Sequence, residues 1–206
     1  MPESTKEGLR ERNKRQKFEN IRRAAQELFK EKGFEATTTR EIAERAGIGT
    51  GTLFLYARDK QDLLIMVYLE SIEKIIEESF ANLPPQKPLL DRLVAIFSHF
   101  LRFYALDQET ARLYIQALTF QKGLEGQRLE AARQIARFQQ KLTTYLEQAR
   151  QQGEIGPDVD TEQASRNLFG LYFQALGGWL GGLTDLETTI NHSLRNAFAL
   201  QIRGLH

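Results

Sequence analysis

Cysteine is missing from all 206 positions, so neither a disulfide framework nor a thiolate metal site can form. Helix breakers are scarce as well, with five prolines and 15 glycines. Leu, Glu, Gln, Ala and Arg are abundant instead, and these favour helix. No long apolar run is present. The most apolar stretch, Leu168 to Leu183, is interrupted by Gln174 and falls short of the roughly 20 residues that a membrane-spanning helix needs. Met1 to Lys17 is charged and has no apolar segment of the secretory-signal kind. These absences point to a cytoplasmic protein with no membrane partner. The three histidines, His99, His192 and His206, have no acid at metal-binding spacing, and no nucleophile–base constellation is visible. Neither an enzyme, a metal nor a cofactor is expected.

What is present is apolar and aromatic enough for a sizeable core. Hydrophobic residues make up 41% of the chain, and its rings are 13 Phe, 6 Tyr and 1 Trp. Net charge is +1 but unevenly spread: residues 1–63 hold 14 Lys and Arg against 11 Asp and Glu, the remainder 14 against 16. The asymmetry directs an anionic partner to the N-terminal end.

Apolar residues recur at helical spacing almost throughout. After a charged arm at 1–14, Phe18, Ile21, Ala25, Leu28 and Phe29 define a helix from about Arg15 to Lys32, with Gly33 as its C-terminal cap. Thr38 and Glu41 have the spacing of a capping box and open a short helix that Gly47 ends. Beyond Gly47-Ile48-Gly49, a second short helix spans about Thr50 to Tyr56. Two short helices joined by a glycine-containing turn read as a helix-turn-helix. Asp59 can cap a long helix from Lys60 to about Leu83, stopped by Pro84-Pro85. Further helices are expected over about 88–106, 107–121, 127–152, 161–183 and 185–203, the last two capped by Thr161 and Asp185. No segment alternates as a strand would. The expected fold is all-α with about nine helices: an arm at 1–14, a three-helix helix-turn-helix domain at 15–62, and a helical bundle at 63–206.

Within the motif, Ile42, Ala43, Ala46 and Ile48 would pack the two short helices together, and Leu53 would anchor the second. Thr50, Gly51, Thr52, Phe54, Leu55 and Tyr56 are left to face outward in part. A short helix with a small, polar N-terminal end can enter a major groove. The segment Thr38, Ile42-Ala43, Ala46-Gly47-Ile48-Gly49, Gly51-Thr52-Leu53-Phe54, Lys60 and Leu63 closely resembles the TetR family of transcriptional regulators. So does the preceding helix, Ala24-Ala25-Gln26-Glu27-Leu28-Phe29-Lys30-Glu31-Lys32-Gly33-Phe34. The close match covers about residues 18–65. Three positions depart from the family pattern: Phe54 replaces a Tyr, Gly49 replaces a Ser, and Ala57 stands where an aromatic is usual. The resemblance implies a double-stranded DNA operator as partner. The surface that meets it would comprise Thr38, Thr39, Arg40, Gly49, Thr50, Gly51, Thr52, Phe54, Leu55, Tyr56 and Lys60, with Thr38, Thr39 and Lys60 on phosphates.

Twelve of the 20 rings lie between Phe97 and Trp179. They suit an ordinary core, and a helical body this rich in rings also often leaves a cavity. The resemblance places a ligand cavity among the fifth to eighth helices, where Phe100, Phe103, Tyr104, Tyr114, Gln116, Phe138, Asn167, Tyr172 and Gln174 are the candidate lining. The effector would be a small apolar or amphipathic molecule. In the eighth helix, Gly170, Gly178 and Gly181 fall on a stripe of mostly small residues, and glycine inside a helix costs roughly 1 kcal/mol relative to alanine. Close approach of another helix would offset that. With Ile190, Leu194, Phe198 and Ile202 of the last helix, this stripe is the candidate interface of a homodimer, as the resemblance also implies. The reading is a ligand-responsive DNA-binding regulator, a repressor released from a palindromic operator. The alternative is a DNA-binding regulator with no small-molecule inducer, controlled by a protein partner.

Overall fold

A computed structural model describes residues 8–81, 83–119 and 123–204. Every regular element among them is helical, in the all-α architecture the sequence implies. The elements are α1 (Leu9–Ala36), α2 (Thr39–Arg45), α3 (Thr50–Leu53), α4 (Lys60–Ala81), α5 (Leu89–Tyr104), α6 (Gln108–Thr119), α7 (Gly126–Gln151), α8 (Thr161–Leu180), α9 (Leu186–Thr188) and α10 (Arg195–Arg203). A π-helical turn, Thr189–Leu194, joins α9 to α10 into one continuous run. Among the described residues, no helix is long and apolar enough to cross a membrane.

Local chemistry sets most boundaries where the pattern places them. Thr38 accepts from the Glu41 amide, and the Glu41 carboxylate accepts from the Thr38 amide at 2.9 Å, the full capping box. Asp59 Oδ1 accepts from the Asp62 amide at 2.7 Å at the start of α4. Asp185 caps α9 by accepting from the Thr188 amide at 2.8 Å. At α8 the cap is Asp160, one residue earlier than the sequence reading, because its carboxylate accepts from the Gln163 amide at 2.9 Å. Two other differences are informative. α1 begins at Leu9, inside the segment read as an arm, since Arg, Glu and Lys are good helix formers and need no buried face to extend a helix already nucleated. Gly33 does interrupt α1, with a φ of 82° that a side chain would resist. α3 has only four helical residues, and Phe54 to Tyr56 continue it as turns.

The chain divides into two compact units. One comprises the chain up to Glu70 together with Leu113–Ala131; the other comprises Ser71–Arg112 and Ala132–His206. In the first, α1 packs on α2 and α2 on α3. Its core is Ile21, Ala25 and Leu28 of α1, Ile42 and Ala43 of α2, Leu53 of α3, and Leu63 to Met66 of α4. In the second, α10 packs on α5 and α8 around Leu93, Phe97, Leu101, Leu168 and Phe198.

Candidate nucleic-acid interface and aromatic core

The first unit presents a helix-turn-helix held at its corners by polar contacts. Thr37 is buried, and its hydroxyl donates to the Gly33 carbonyl at 2.8 Å, fixing the α1–α2 corner. Glu41 completes the capping box and also accepts from Lys32, and these contacts lower its pKa from the ordinary carboxylate range to about 2. Arg45 forks onto Glu31 with bonds of 2.7 and 2.9 Å, tying the end of α2 back to α1. Lys60 donates to the carbonyls of Phe34 and Glu35 at 2.8 and 3.1 Å and lies over the Phe34 ring at 4.4 Å. A cation there complements the exposed carbonyls where α1 ends.

The residues expected to meet DNA take distinct positions on this frame. Thr38, Arg40, Gly49, Gly51, Phe54 and Leu55 are exposed; Thr39, Thr50, Thr52, Tyr56 and Lys60 are half-buried. Arg40 pairs with Glu44 at 2.9 Å along α2. Gly49 is the N-cap of α3 and brings no side-chain hydrogen bond to it. In the protomer the Lys60 ammonium is held by the α1 carbonyls, at the start of α4.

Sequence reasoning missed a set of residues more than 60 positions downstream. Gln127, at the start of α7, donates to the Tyr56 carbonyl at 3.1 Å, at the last residue of the turn that follows α3. Arg128 donates to Asp62 at 2.9 Å and pairs with Asp59 at 3.3 Å. Asp62 also accepts from the Arg58 amide and Nε at 3.1 and 3.0 Å, and Arg58 reaches Glu125 at 3.1 Å. Asp62 and Arg128 are both buried. The one available signal was Asp62 itself: an acid leading directly into Leu63-Leu64-Ile65-Met66 needs a partner if it is buried. Nothing local names that partner.

The expected effector-binding residues fall into three groups. Phe100, Phe138 and Tyr172 come together in the second unit around Phe97, which lies 5.4 Å from Phe138, 4.9 Å from Tyr172 and 5.1 Å from Phe198. Phe103 and Tyr104 pair with each other at 5.6 Å. Tyr114 belongs to the first unit, where it stacks on Tyr68 of α4 at 4.2 Å, and burial pushes its hydroxyl pKa up. Gln116, Asn167 and Gln174 are exposed and join none of these ring contacts. Elsewhere in the second unit, a groove of about 470 Å³ is lined by Phe80, Leu83, Pro85, Arg92, Lys141 and Tyr145, among others. Arg92 is buried there, donates to the Tyr145 hydroxyl at 2.8 Å and pairs with Glu154. Among the described residues, no three His, Asp or Glu side chains gather as metal ligands would.

The residues expected at a dimer interface also separate. Ile190, Leu194 and Phe198 are buried within the single chain, so they have no surface to give a partner; the period that suggested an outward stripe is the inward face of the last helical run. Gly170, Gly178, Gly181 and Ile202 keep exposed or half-exposed positions. A Cβ built on Gly170 or Gly178 would meet nothing within 4 Å, so the protomer itself does not require glycine at either.

Residues 21–67 match the model of the tetR family of bacterial regulatory proteins. The chain is 25% identical over 199 residues to the fatty acid metabolism regulator protein of Bacillus subtilis strain 168, covering 95% of this chain and 98% of that protein. Among solved structures, FadR from Thermus thermophilus, a TetR-family transcriptional repressor in complex with lauroyl-CoA, is 26% identical with a TM-score of 0.69, covering 91% of this chain and 92% of that one. FadR from Bacillus subtilis in complex with stearoyl-CoA is 25% identical with a TM-score of 0.67, covering 92% of this chain and 100% of that one.

Proposed function

We propose that the chain, whose residues 21–67 match the tetR family model, is a TetR-type repressor released from a palindromic operator by a long-chain fatty acyl-CoA. The observation that carries the effector class is the extent of likeness to the B. subtilis regulator, which runs through the C-terminal body instead of stopping at residue 67. Two FadR neighbours that hold acyl-CoA support it. The ring cluster around Phe97 suits the apolar tail of such a ligand, since aromatic contacts are adaptable in angle.

The operator is met by the outward face of α2 and the α3 turn, with Thr38 and Thr39 at the N-terminus of α2 and Lys60 at that of α4 on phosphates. Two copies would place their recognition turns in major grooves about 34–36 Å apart. Ligand and DNA would act on each other through α4 and α7, since each runs along the chain from one unit into the other. A coupling of about 1–3 kcal/mol is typical of such linkage. Acting on DNA, the protein works in the cytoplasm.

The test is operator binding by the full chain against a panel of acyl-CoAs of increasing length, with free CoA and free fatty acids beside them. Long-chain acyl-CoA should release the operator, and free CoA should not. Intact DNA binding with no response to any acyl-CoA would sink the effector class. It would favour control by a protein partner instead, which the mutual burial of Phe97, Phe100 and Phe138 would suit.

Homodimerisation belongs to the same proposal. The helical glycines of α8 with open space at Cβ make sense if a partner helix approaches there. Gly178→Leu should give a monomer in sedimentation at micromolar concentration while helicity persists; an unchanged dimer would move the interface elsewhere.

A further inference from the structure

Between Ala46 and Ala57 the chain carries no Lys, Arg, His, Asp, Glu, Asn or Gln. The recognition turn therefore lacks every side chain that makes a bidentate hydrogen bond to a guanine or adenine edge. What it turns outward is apolar. Leu55 is 82% exposed and Phe54 47%, while Leu53 beside them is fully buried and pins the turn to the domain. Thr50 and Thr52 are half-buried, less exposed than the two apolar residues.

Gly51 supplies an independent observation. A Cβ there would meet nothing within 4 Å, and its φ is not in the left-handed region. Neither packing nor backbone conformation within the protomer calls for glycine, yet glycine is a poorer helix former than alanine. A surface that approaches the backbone of this turn would supply the compensating gain.

Resting on the DNA-binding reading above, we propose that Phe54 and Leu55 recognise thymine 5-methyl groups in the operator half-site, with Gly51 letting the turn sit deep in the major groove. The thymine methyl is the one apolar group on the major-groove edges of the four base pairs. An apolar pair on the reading surface, with no charged or amide side chain beside it in the segment, matches that group and no other. Purines are then not read by bidentate contacts from this turn. Thr50, Thr52 and Tyr56 add single hydrogen bonds at most.

The experiment uses the full chain and duplexes it enriches from a random-sequence pool, resynthesised with deoxyuridine in place of each thymine in turn. Removing a methyl under Phe54 or Leu55 should weaken binding by about fourfold, the ratio for burying one methyl-sized group. Replacing the T·A pair at that position with 5-methylcytosine·G should retain more affinity than unmethylated C·G. Leu55→Ala, at a site too exposed to affect folding, should bind the thymine and deoxyuridine duplexes equally at its own position and keep the penalty at the other. Gly51→Ala should raise the unfolding temperature of the free protein and weaken binding to every enriched duplex. Duplexes that tolerate deoxyuridine everywhere, or an unchanged methyl dependence in both Leu55→Ala and Phe54→Ala, would overturn methyl reading and leave DNA binding standing. A pool that yields no enriched duplex would overturn both.

Discussion

Asp62 of the first unit and Phe97 of the second are both fully buried, and their surroundings have almost nothing in common. Asp62 is gripped by two guanidiniums and a backbone amide, at distances from 2.9 to 3.1 Å. Phe97 is surrounded by Phe138, Tyr172 and Phe198, with interplanar angles from 38° to 83°. Hydrogen-bonded ion pairs lose strength steeply when their geometry changes. Ring contacts are worth something over a broad range of offsets and tilts. Around Asp62, in the unit proposed to meet DNA, the contacts are thus directional. Around Phe97, in the unit where an apolar effector is proposed, they are contacts that can re-form around a guest.

The sharpest way to break this comparison is in the ring cluster. Phe97→Ala should destabilise by about 3–5 kcal/mol, the usual range for removing a buried ring. Hydrogen exchange should place the lost protection in 71–112 and 132–206, sparing 8–70. Equal loss in both units would mean that they do not respond separately.

Arg128→Leu tests the other side. It leaves the Asp62 carboxylate buried with one guanidinium in place of two, and should cost about 3 kcal/mol. Here the lost protection should centre on the start of α4 and on 113–131. Operator affinity should fall more than in Phe97→Ala, because Gln127 beside it holds the Tyr56 carbonyl. Operator binding unaffected by Arg128→Leu would show that the network is structural without positioning the turn.

The smallest effect concerns pH. Lys32 and Thr38 depress Glu41 to about 2, so its stabilising contribution is complete above the ordinary carboxylate pKa and is lost as pH falls through about 2. Glu41→Gln should lower the unfolding temperature at neutral pH and flatten its decline between roughly pH 4.5 and 2. An acid limb of unchanged slope in the variant would assign that decline to other carboxylates.

What the amino-acid sequence determined by itself is whatever depends on neighbours three or four residues away. The Thr38–Glu41 box, the Asp59 and Asp185 caps, the Gly33 break, the all-helical class and the helix-turn-helix motif are of this kind, because capping and helical periodicity act within one or two turns. Exposure of Phe54 and Leu55 could be read from the burial that Leu53 demands on the opposite face. Tertiary structure decided everything that needed two distant segments at once. Asp62 meets Arg128 across 66 positions, and Tyr114 turns out to belong with Tyr68 rather than with Phe138. The same helical period in Ile190, Leu194 and Phe198 fits an outward interface or an inward core equally well. Only the arrangement of α5 and α8 settles that those side chains are buried inside the protomer, since periodicity names a face but not what covers it.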